Sequence, residues 1–344
     1  MEYLAEAAQD PEIKKQSQYL LSYSWLDQLA WDKLMTAFKH WVLEDDFSLQ
    51  QLASWVLVQA EVYAGFPPET YVFEADQVIL PLKTNIFTGH PIIEVAISGK
   101  KYRFFMDTGA PTTLLSSRVA EEIGIQTAGS ITIATSTSGA AADAEMATVD
   151  LMLDSISIKN HSVLVVDKEQ MGKKILGISV FRVDGILGWN ALQNITVTFD
   201  YPEKMLILQK PMPFTAQRRN LLWSDGYPVV ALTDEQGRRL NFLLDTGCNQ
   251  SKFFENLLTK VDDKEVRTKE IRTIGIGYTG KEEVLTLSDL VLVSGGWAWH
   301  FKNIVSMDSL NCFVKFDGLL GIDVLKKGRV TIDAVNGIFS FSVN

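Results

Sequence analysis

Two stretches of this chain are copies of one another, and the duplication constrains the fold more than any other feature of the sequence. Residues 90 to 110, HPIIEVAISGKKYRFFMDTGA, lie over 227 to 248, YPVVALTDEQGRRLNFLLDTGC, with one residue of slippage. Gly99 falls on Gly237 and Asp107 on Asp245, both 138 apart. Further on, GILGWNALQNITVTFD at 185 to 200 lies without a gap over GLLGIDVLKKGRVTID at 318 to 333, an offset of 133. One supersecondary unit is therefore used twice, with its landmarks in the same order. Each copy has a Pro-marked strand, a hairpin Gly, a strand ending in Asp-Thr-Gly, a variable middle and an Asp-Gly-apolar-Leu-Gly segment. Short runs rich in Val, Ile, Thr and Phe, broken by Gly, Asn and Asp, predict strands in both. Pro211, Pro213, Arg218 and Arg219 suggest an exposed connector between the copies near Lys210 to Asn220.

The first seventy residues read differently. From Ser24 onward, Leu26, Leu29, Ala30, Leu34, Ala37, Phe38, Trp41 and Val42 recur at helical spacing. Helix starts are expected at Asp10-Pro11, at Ser24 with Asp27, and at Ser48 with Gln51. Three helices ending near Gly65, Pro67 and Pro68 are the expectation, with Trp25, Trp31, Trp41, Trp55, Tyr19, Tyr23 and Tyr63 forming the core of a small bundle. Such a segment could also cover the two β units as a gate.

Charge excludes one class of function. The formal net charge is -10, and residues 1 to 76 hold thirteen Asp or Glu against four Lys or Arg. The remainder is nearly balanced, so no segment offers the basic face that phosphate neutralisation needs. Nothing reaches the length of a membrane span. Cys248 and Cys312 are too few for a disulfide framework and are expected to be free, Cys248 as a small filler. His40, His90, His161 and His300 are scattered without ligand spacing and are read as structural, so neither metal nor cofactor is expected. The opening, MEYLAEAAQDPEIKK, lacks the basic-then-apolar pattern of a secretory leader. The compartment stays open: periplasmic or secreted if a leader has been removed, cytoplasmic otherwise.

The chemistry lies in the repeated Asp-Thr-Gly. Each Asp follows an apolar run, Phe104-Phe105-Met106 or Leu243-Leu244, and so sits where a buried strand breaks into a turn, rigid and partly desolvated. Gly109 and Gly247 permit a tight turn and close approach of another segment. Thr108 and Thr246 offer hydroxyls that can tie one loop to the other. Ile186-Leu187-Gly188 and Leu319-Leu320-Gly321 have the composition of buried strands that could pack beneath the Asp loops. Brought together, two such carboxylates cannot both ionise comfortably. They would share a proton, one acting as base on a water while the other donates to a carbonyl oxygen, and they would titrate as a unit.

MDTGAPTTLLS with DGILGWNAL, and LLDTGCNQSKFF with DGLLGIDVL, resemble the active-site loop and apolar-apolar-Gly signature of the pepsin and retropepsin superfamily of aspartic peptidases. The resemblance covers roughly residues 80 to 344. Each copy is nearer in size to a retroviral protease subunit than to a pepsin lobe, so the chain is similar to a fused, bacterial-type retropepsin-like enzyme. What the resemblance implies is a mainly β fold: two homologous β-barrel lobes related by a pseudo-twofold, at 77–212 and 213–344, preceded by a small α-helical N-terminal domain at 1–76. It further implies an endopeptidase whose catalytic pair is Asp107 and Asp245, supported by Thr108, Gly109, Thr246 and Gly247. The partner would be a polypeptide substrate, and one chain would suffice as an active monomer.

The resemblance also implies β-hairpin flaps over the substrate, expected at Ser138 and Gly139 in the first copy and at Gly277, Tyr278 and Thr279 in the second. Glycine-dense tips suit a hairpin that opens for a polypeptide and closes over it. Pepsin-like enzymes usually carry Ser after Asp-Thr-Gly, where this chain has Ala110 and Cys248. Fewer donors to the charged form imply a less acidic pair and an optimum from mildly acidic to near neutral. The alternative is a catalytically silent relative that keeps the fold as a peptide-binding or scaffold module.

Overall fold

A computed structural model of the chain describes residues 7–27, 30–40, 56–86, 88–134, 141–169, 171–175, 178–213, 219–224, 226–261, 266–275, 278–308 and 315–343. The protein is mainly β. Its helical start contains α1 (Pro11–Asp27), α2 (Trp31–His40) and α3 (56–63). Asp10 caps α1 as expected, its Oδ1 accepting from the N–H groups of Glu12 and Ile13 at 2.9 and 3.2 Å. The start expected at Ser24 is absent. With no Gly or Pro between Ser17 and Ser24 to break the ladder, α1 runs through it to Asp27. Leu34, Ala37 and Phe38 are buried on α2, and Leu34 and Phe38 pack with Val56 of α3. The expected Ser48 start, Trp41, Val42 and Trp55 lie outside the described residues.

The first copy supplies β1 (Thr70–Phe73), β2 (Gln77–Pro81), β3 (Lys83–Thr84), β4 (Pro91–Ile97), β5 (Lys100–Met106) and β6 (Thr113–Ser116). There follow β7 (Ser130–Ala134), β8 (Ala141–Leu153), β9 (Ile156–Val166), β10 (Gly172–Ile175), β11 (Ile178–Arg182), β12 (Gly185–Leu187), β13 (Thr196–Asp200) and β14 (Met205–Gln209). The second supplies β15 (Leu221–Ser224), β16 (Tyr227–Thr233), β17 (Arg239–Leu244), β18 (Lys252–Phe253), β19 (Val266–Gly275) and β20 (Tyr278–Ser294). It ends with β21 (Trp297–Val305), β22 (Gly318–Leu320), β23 (Arg329–Asp333) and β24 (Ile338–Ser342).

Pairings in the first copy run β9-β6-β12-β5-β4-β8, and β8 returns to β9, so the sheet closes on itself. Pairings in the second run β18-β22-β17-β16-β20-β21, and a bridge between Phe253 and Ser306 leads from the end of β21 back to β18. Closure removes exposed strand edges and encloses alternate side chains. Inside the first lie Val95, Ile97, Phe104, Met106, Leu115, Leu151 and Leu187; inside the second, Leu232, Leu240, Phe242, Leu244, Leu290 and Leu320. β1, ahead of the 76/77 boundary, pairs with β9, so the chain enters the first sheet directly after the helices.

A five-stranded sheet in the order β2-β14-β13-β23-β24 joins the copies. Its central pairing sets Thr198 opposite Thr331, with their hydroxyl oxygens 2.8 Å apart. These two residues are 133 apart and equivalent in the duplication, so the repeat meets itself at this point.

Candidate active site

The Asp-Thr-Gly turns are positioned by the strands beside them. β12 runs parallel to β5 with Leu187 opposite Met106, and the Asp107 N–H donates to the Leu187 carbonyl at 3.0 Å. β22 does the same for β17, with Leu320 opposite Leu244 and the Asp245 N–H on the Leu320 carbonyl at 2.9 Å. The apolar-apolar-Gly segments are thus hydrogen-bonded alongside the Asp strands, and their glycines carry the approach beneath the loops. A Cβ at Gly188 would meet the backbone of Thr112 and Ala110, and one at Gly321 the backbone of Gln250 and Cys248. The Trp189 N–H then donates to the Ala110 carbonyl at 2.7 Å, and the Ile322 N–H to that of Cys248 at 2.9 Å.

Between the copies the two turns are locked by a crossed set of bonds. Thr108 Oγ1 donates to the Leu244 carbonyl at 2.6 Å and accepts from the Thr246 N–H at 3.0 Å. Thr246 Oγ1 donates to the Met106 carbonyl at 2.7 Å and accepts from the Thr108 N–H at 3.0 Å. Both threonines are fully buried. A hydroxyl can give one proton and accept others, so each is fully used and four backbone groups at the break of two strands are satisfied.

This lock sets each carboxylate against the other loop. A Cβ built on Gly109 would collide with the Asp245 carboxylate, and one on Gly247 with the Asp107 carboxylate. The carboxylates are within hydrogen-bonding reach of each other. Each also turns one oxygen onto its own loop, Asp107 Oδ1 accepting from the Gly109 N–H and Asp245 Oδ1 from the Gly247 N–H, both at 2.9 Å.

Desolvation raises the pKa of both acids. For Asp107 the rise is opposed by N–H groups of Gly109, Ala110 and Gly247 and by the hydrogen bond from Asp245. Asp245, raised by desolvation and then by the charge of Asp107, is pushed up to about 8. Two like acids in one low-dielectric site hold one proton across the neutral range.

Sequence reading placed these six residues together, and the structure brings them into one site. Cys248, beside it, is a free thiol whose Sγ donates to the Gln250 carbonyl at 3.2 Å; burial, then the charge of Asp245, pushes it up to about 12. Cys312 lies outside the described residues. So do Ser138, Gly139 and Gly277 of the expected flap tips. Their hairpin arms are described: β7 pairs with β8 from Ser130–Glu145 to Ala134–Ala141, and β19 with β20 from Val266–Leu287 to Gly275–Tyr278. Tyr278 and Thr279 open β20, Thr279 paired with Ile274.

The sequence reading missed the layer beneath the loops. Six residues past each Asp, Thr113 and Ser251 hold the following Gly in place, Gly188 N–H donating to Thr113 Oγ1 at 3.2 Å and Gly321 N–H to Ser251 Oγ at 3.1 Å. Asn190 and Asp323 orient them: Asn190 Oδ1 accepts from the Thr113 N–H, and Asp323 Oδ1 from the Ser251 N–H, both at 2.9 Å. Offsets of 138 and 133 are those of the duplication, so the alignment held this signal.

Residues 93–191, which hold the first Asp loop and its apolar-apolar-Gly segment, match the aspartyl protease family model. The resemblance to the pepsin and retropepsin superfamily therefore holds for the first of the two motifs. No curated protein matches the chain. Among solved structures, the chain is similar to the aspartic proteinase from Irpex lacteus at 12% identity, covering 78% of this chain and 97% of that one with a TM-score of 0.49. It is similar also to basic 7S globulin from soybean at 10% identity, covering 78% of this chain and 94% of that one with a TM-score of 0.46.

Proposed function

We propose that this protein is a single-chain aspartic endopeptidase of the pepsin and retropepsin superfamily, with Asp107 and Asp245 as its catalytic pair. The observation that carries the reading is the reciprocal seating of the two turns, each glycine against the other turn's carboxylate. A desolvated pair of this kind has a specific use. A water between the carboxylates gives a proton to the ionised acid as its oxygen attacks the peptide carbonyl carbon, while the protonated acid donates to the carbonyl oxygen. The tetrahedral diol then collapses: one diol hydroxyl returns its proton to the acid that had donated to the carbonyl oxygen, the C–N bond breaks, and the proton taken from water passes to the leaving nitrogen. No charge leaves the site, so a low-dielectric setting favours each step.

In this reading residues 77–212 and 213–344 form two lobes about a pseudo-twofold. The Thr198–Thr331 pairing and the crossed threonine bonds support it, because in each the repeat meets its own equivalent. The helices described within residues 1–76 form a unit against the first lobe, whose sheet β1 joins. The β7–β8 and β19–β20 hairpins are the flaps, with Ser138, Gly139, Gly277, Tyr278 and Thr279 at or beside their tips. An extended polypeptide lying beneath them gains main-chain hydrogen bonds from such edges.

The test is cleavage of an unbiased peptide library from pH 3 to 8 by the protein and by Asp107→Asn and Asp245→Asn. Cleavage by the parent alone is the expected result. Equal cleavage by parent and either variant removes the dyad. No cleavage by any form, with peptides still retained in a pull-down, would make the chain a binding module.

A further inference from the structure

The loop carrying Asp107 rests on a buried hydrogen-bond chain that, among the described residues, the other loop lacks. Thr113 Oγ1 has three polar neighbours: Asn190 Oδ1 at 2.9 Å, the Gly188 N–H at 3.2 Å and His161 Nε2 at 2.8 Å. The Asn190 amide has one orientation, because its Oδ1 accepts the Thr113 N–H at 2.9 Å and its Nδ2 donates to the Ser162 carbonyl at 3.0 Å. Oδ1 therefore has no proton to give, and the Thr113 hydroxyl must donate its single proton there. Gly188 can only donate. The Thr113 oxygen is left as an acceptor, so His161 must present Nε2–H to it. The other ring nitrogen, Nδ1, faces Glu69 Oε2 at 2.6 Å. That contact needs a proton of its own, on Nδ1 or on the carboxyl, besides the one on Nε2, and it fixes the orientation of the ring.

Around this chain the structure is closed. His161 and Thr113 are fully buried, and Glu69 nearly so. Glu69 stands between α3 and β1, and its place is held from both sides. Tyr63 of α3 donates to the Val163 carbonyl at 2.9 Å, Asn160 Nδ2 donates to the Pro68 carbonyl at 3.3 Å, and Tyr71 of β1 donates to the Asn190 carbonyl at 3.0 Å. Tyr63 also belongs to an apolar cluster with Val62, Phe66, Trp31, Met146 and Ala110, the residue that follows the first Asp-Thr-Gly. In the second copy Ser251 Oγ donates to Asp323 Oδ1 at 2.8 Å and accepts from Gly321; among the described residues no histidine reaches it.

We propose that Glu69 and His161 are positioning residues for the catalytic loop of the first copy, acting through Thr113. The chain leaving the helices thereby helps set the geometry of Asp107, while the Asp245 loop depends on its own carboxylate, Asp323. The pair touches neither substrate nor dyad. Its loss lets the 107–113 turn shift relative to Asp245, and a misplacement of about 1 Å in such a site can cost about a hundredfold in rate. The proposal rests on the peptidase reading for its kinetic consequence, though not for the proton placement.

Two measurements test it. In the first, His161→Leu is compared with His161→Gln, whose amide nitrogen can take the place of Nε2–H, and Glu69→Ala with Glu69→Gln. The expected result is a fall in kcat of about tenfold to a hundredfold for His161→Leu with KM within about twofold, and recovery to within about threefold of the parent in His161→Gln. Glu69→Ala falls less, and Glu69→Gln restores it; this pair decides the matter if His161→Leu does not fold. Parent-like kcat in both His161→Leu and Glu69→Ala, or glutamine variants as slow as their apolar counterparts, would overturn the proposal. In the second, nitrogen-15 NMR of histidine-labelled protein should show a proton on His161 Nε2. A bare Nε2 would overturn the assignment even if no peptide were ever cleaved, and a protein that cleaves nothing but shows Nε2–H would fail the peptidase reading alone.

Discussion

Removing the hydroxyl of Thr108 isolates the lock between the two turns. Thr108→Ala deletes the 2.6 Å bond to the Leu244 carbonyl and the acceptor for the Thr246 N–H, leaving two buried backbone groups without partners. Each orphaned group costs about 1–3 kcal/mol. The lost methyl-sized volume adds about 1 kcal/mol. Thr108→Ser keeps the oxygen and loses only the methyl, so it should cost about 1 kcal/mol, and the difference between the variants, about 2–6 kcal/mol, is the lock itself. In thermal unfolding this separates the two midpoints by several degrees, at about 2–4 °C per kcal/mol for chains of 150–250 residues and less for longer ones. Thr246→Ala should match Thr108→Ala, because its hydroxyl makes the mirror-related bonds to Met106 and Thr108. The double variant should cost less than the sum by at least about 0.5 kcal/mol, since one loss already lets the turns part. Midpoints for Thr108→Ala and Thr108→Ser within about 1 °C, or strict additivity, would refute the claim that these hydroxyls hold the site together.

Gly109→Ala and Gly247→Ala should each cut turnover by about a hundredfold or more while leaving the fold intact, because the new methyl strikes the opposite carboxylate; circular dichroism and peptide kinetics check both halves. Activity needs one proton on the dyad, so the rate should fall as the pair takes a second proton in acid and as it loses the last one near pH 8, where Asp245 titrates; a plateau extending to pH 10 would contradict the shared proton. Because the folded pKa of Asp245 is raised from 3.8 to about 8, its contribution to stability is fully present below about pH 4 and lost as pH rises through 8. Asp245→Asn should therefore gain on the parent between those limits. The gain is bounded at about 5–6 kcal/mol and is nearer half that because both aspartates keep part of their surface in solvent. Deleting residues 1–66 strips Trp31, Val62, Tyr63 and Phe66 from the apolar face of the first sheet, and the product should melt many degrees lower or aggregate; a soluble truncation with an unchanged midpoint would show the helices to be dispensable.

Most of the site was legible because local signals and global pairing agree in it. The apolar run before each Asp fixes a buried strand, Gly marks the turn, and the duplication states that whatever one loop does the other does too. Thr108 and Thr246 could be read as ties for that reason. The same alignment contained the Thr198–Thr331 pairing and the Thr113–Ser251 and Asn190–Asp323 supports, yet nothing local in those residues distinguishes a central strand or a buried polar anchor from its neighbours. Ser24 misled because Ser-x-x-Asp resembles a cap wherever it occurs, whereas here the ladder of α1 continues through it. His161 and Glu69 are 92 residues apart, with no spacing that suggests contact. Their meeting depends on β1 pairing with β9, a long-range choice made by the sheet.

The central claim is that one chain supplies both halves of a proton-sharing peptidase dyad. It is tested most directly by mixing Asp107→Asn and Asp245→Asn proteins, each purified separately, unfolding them together and refolding them at equal concentration. The account predicts no peptide hydrolysis from either variant or from the mixture, because every chain closes its crossed threonine lock on itself and carries one intact acid. Hydrolysis by a single variant would contradict the dyad. Hydrolysis that appears only in the refolded mixture would mean that an intact Asp107 from one chain meets an intact Asp245 from another, and would contradict the single-chain site.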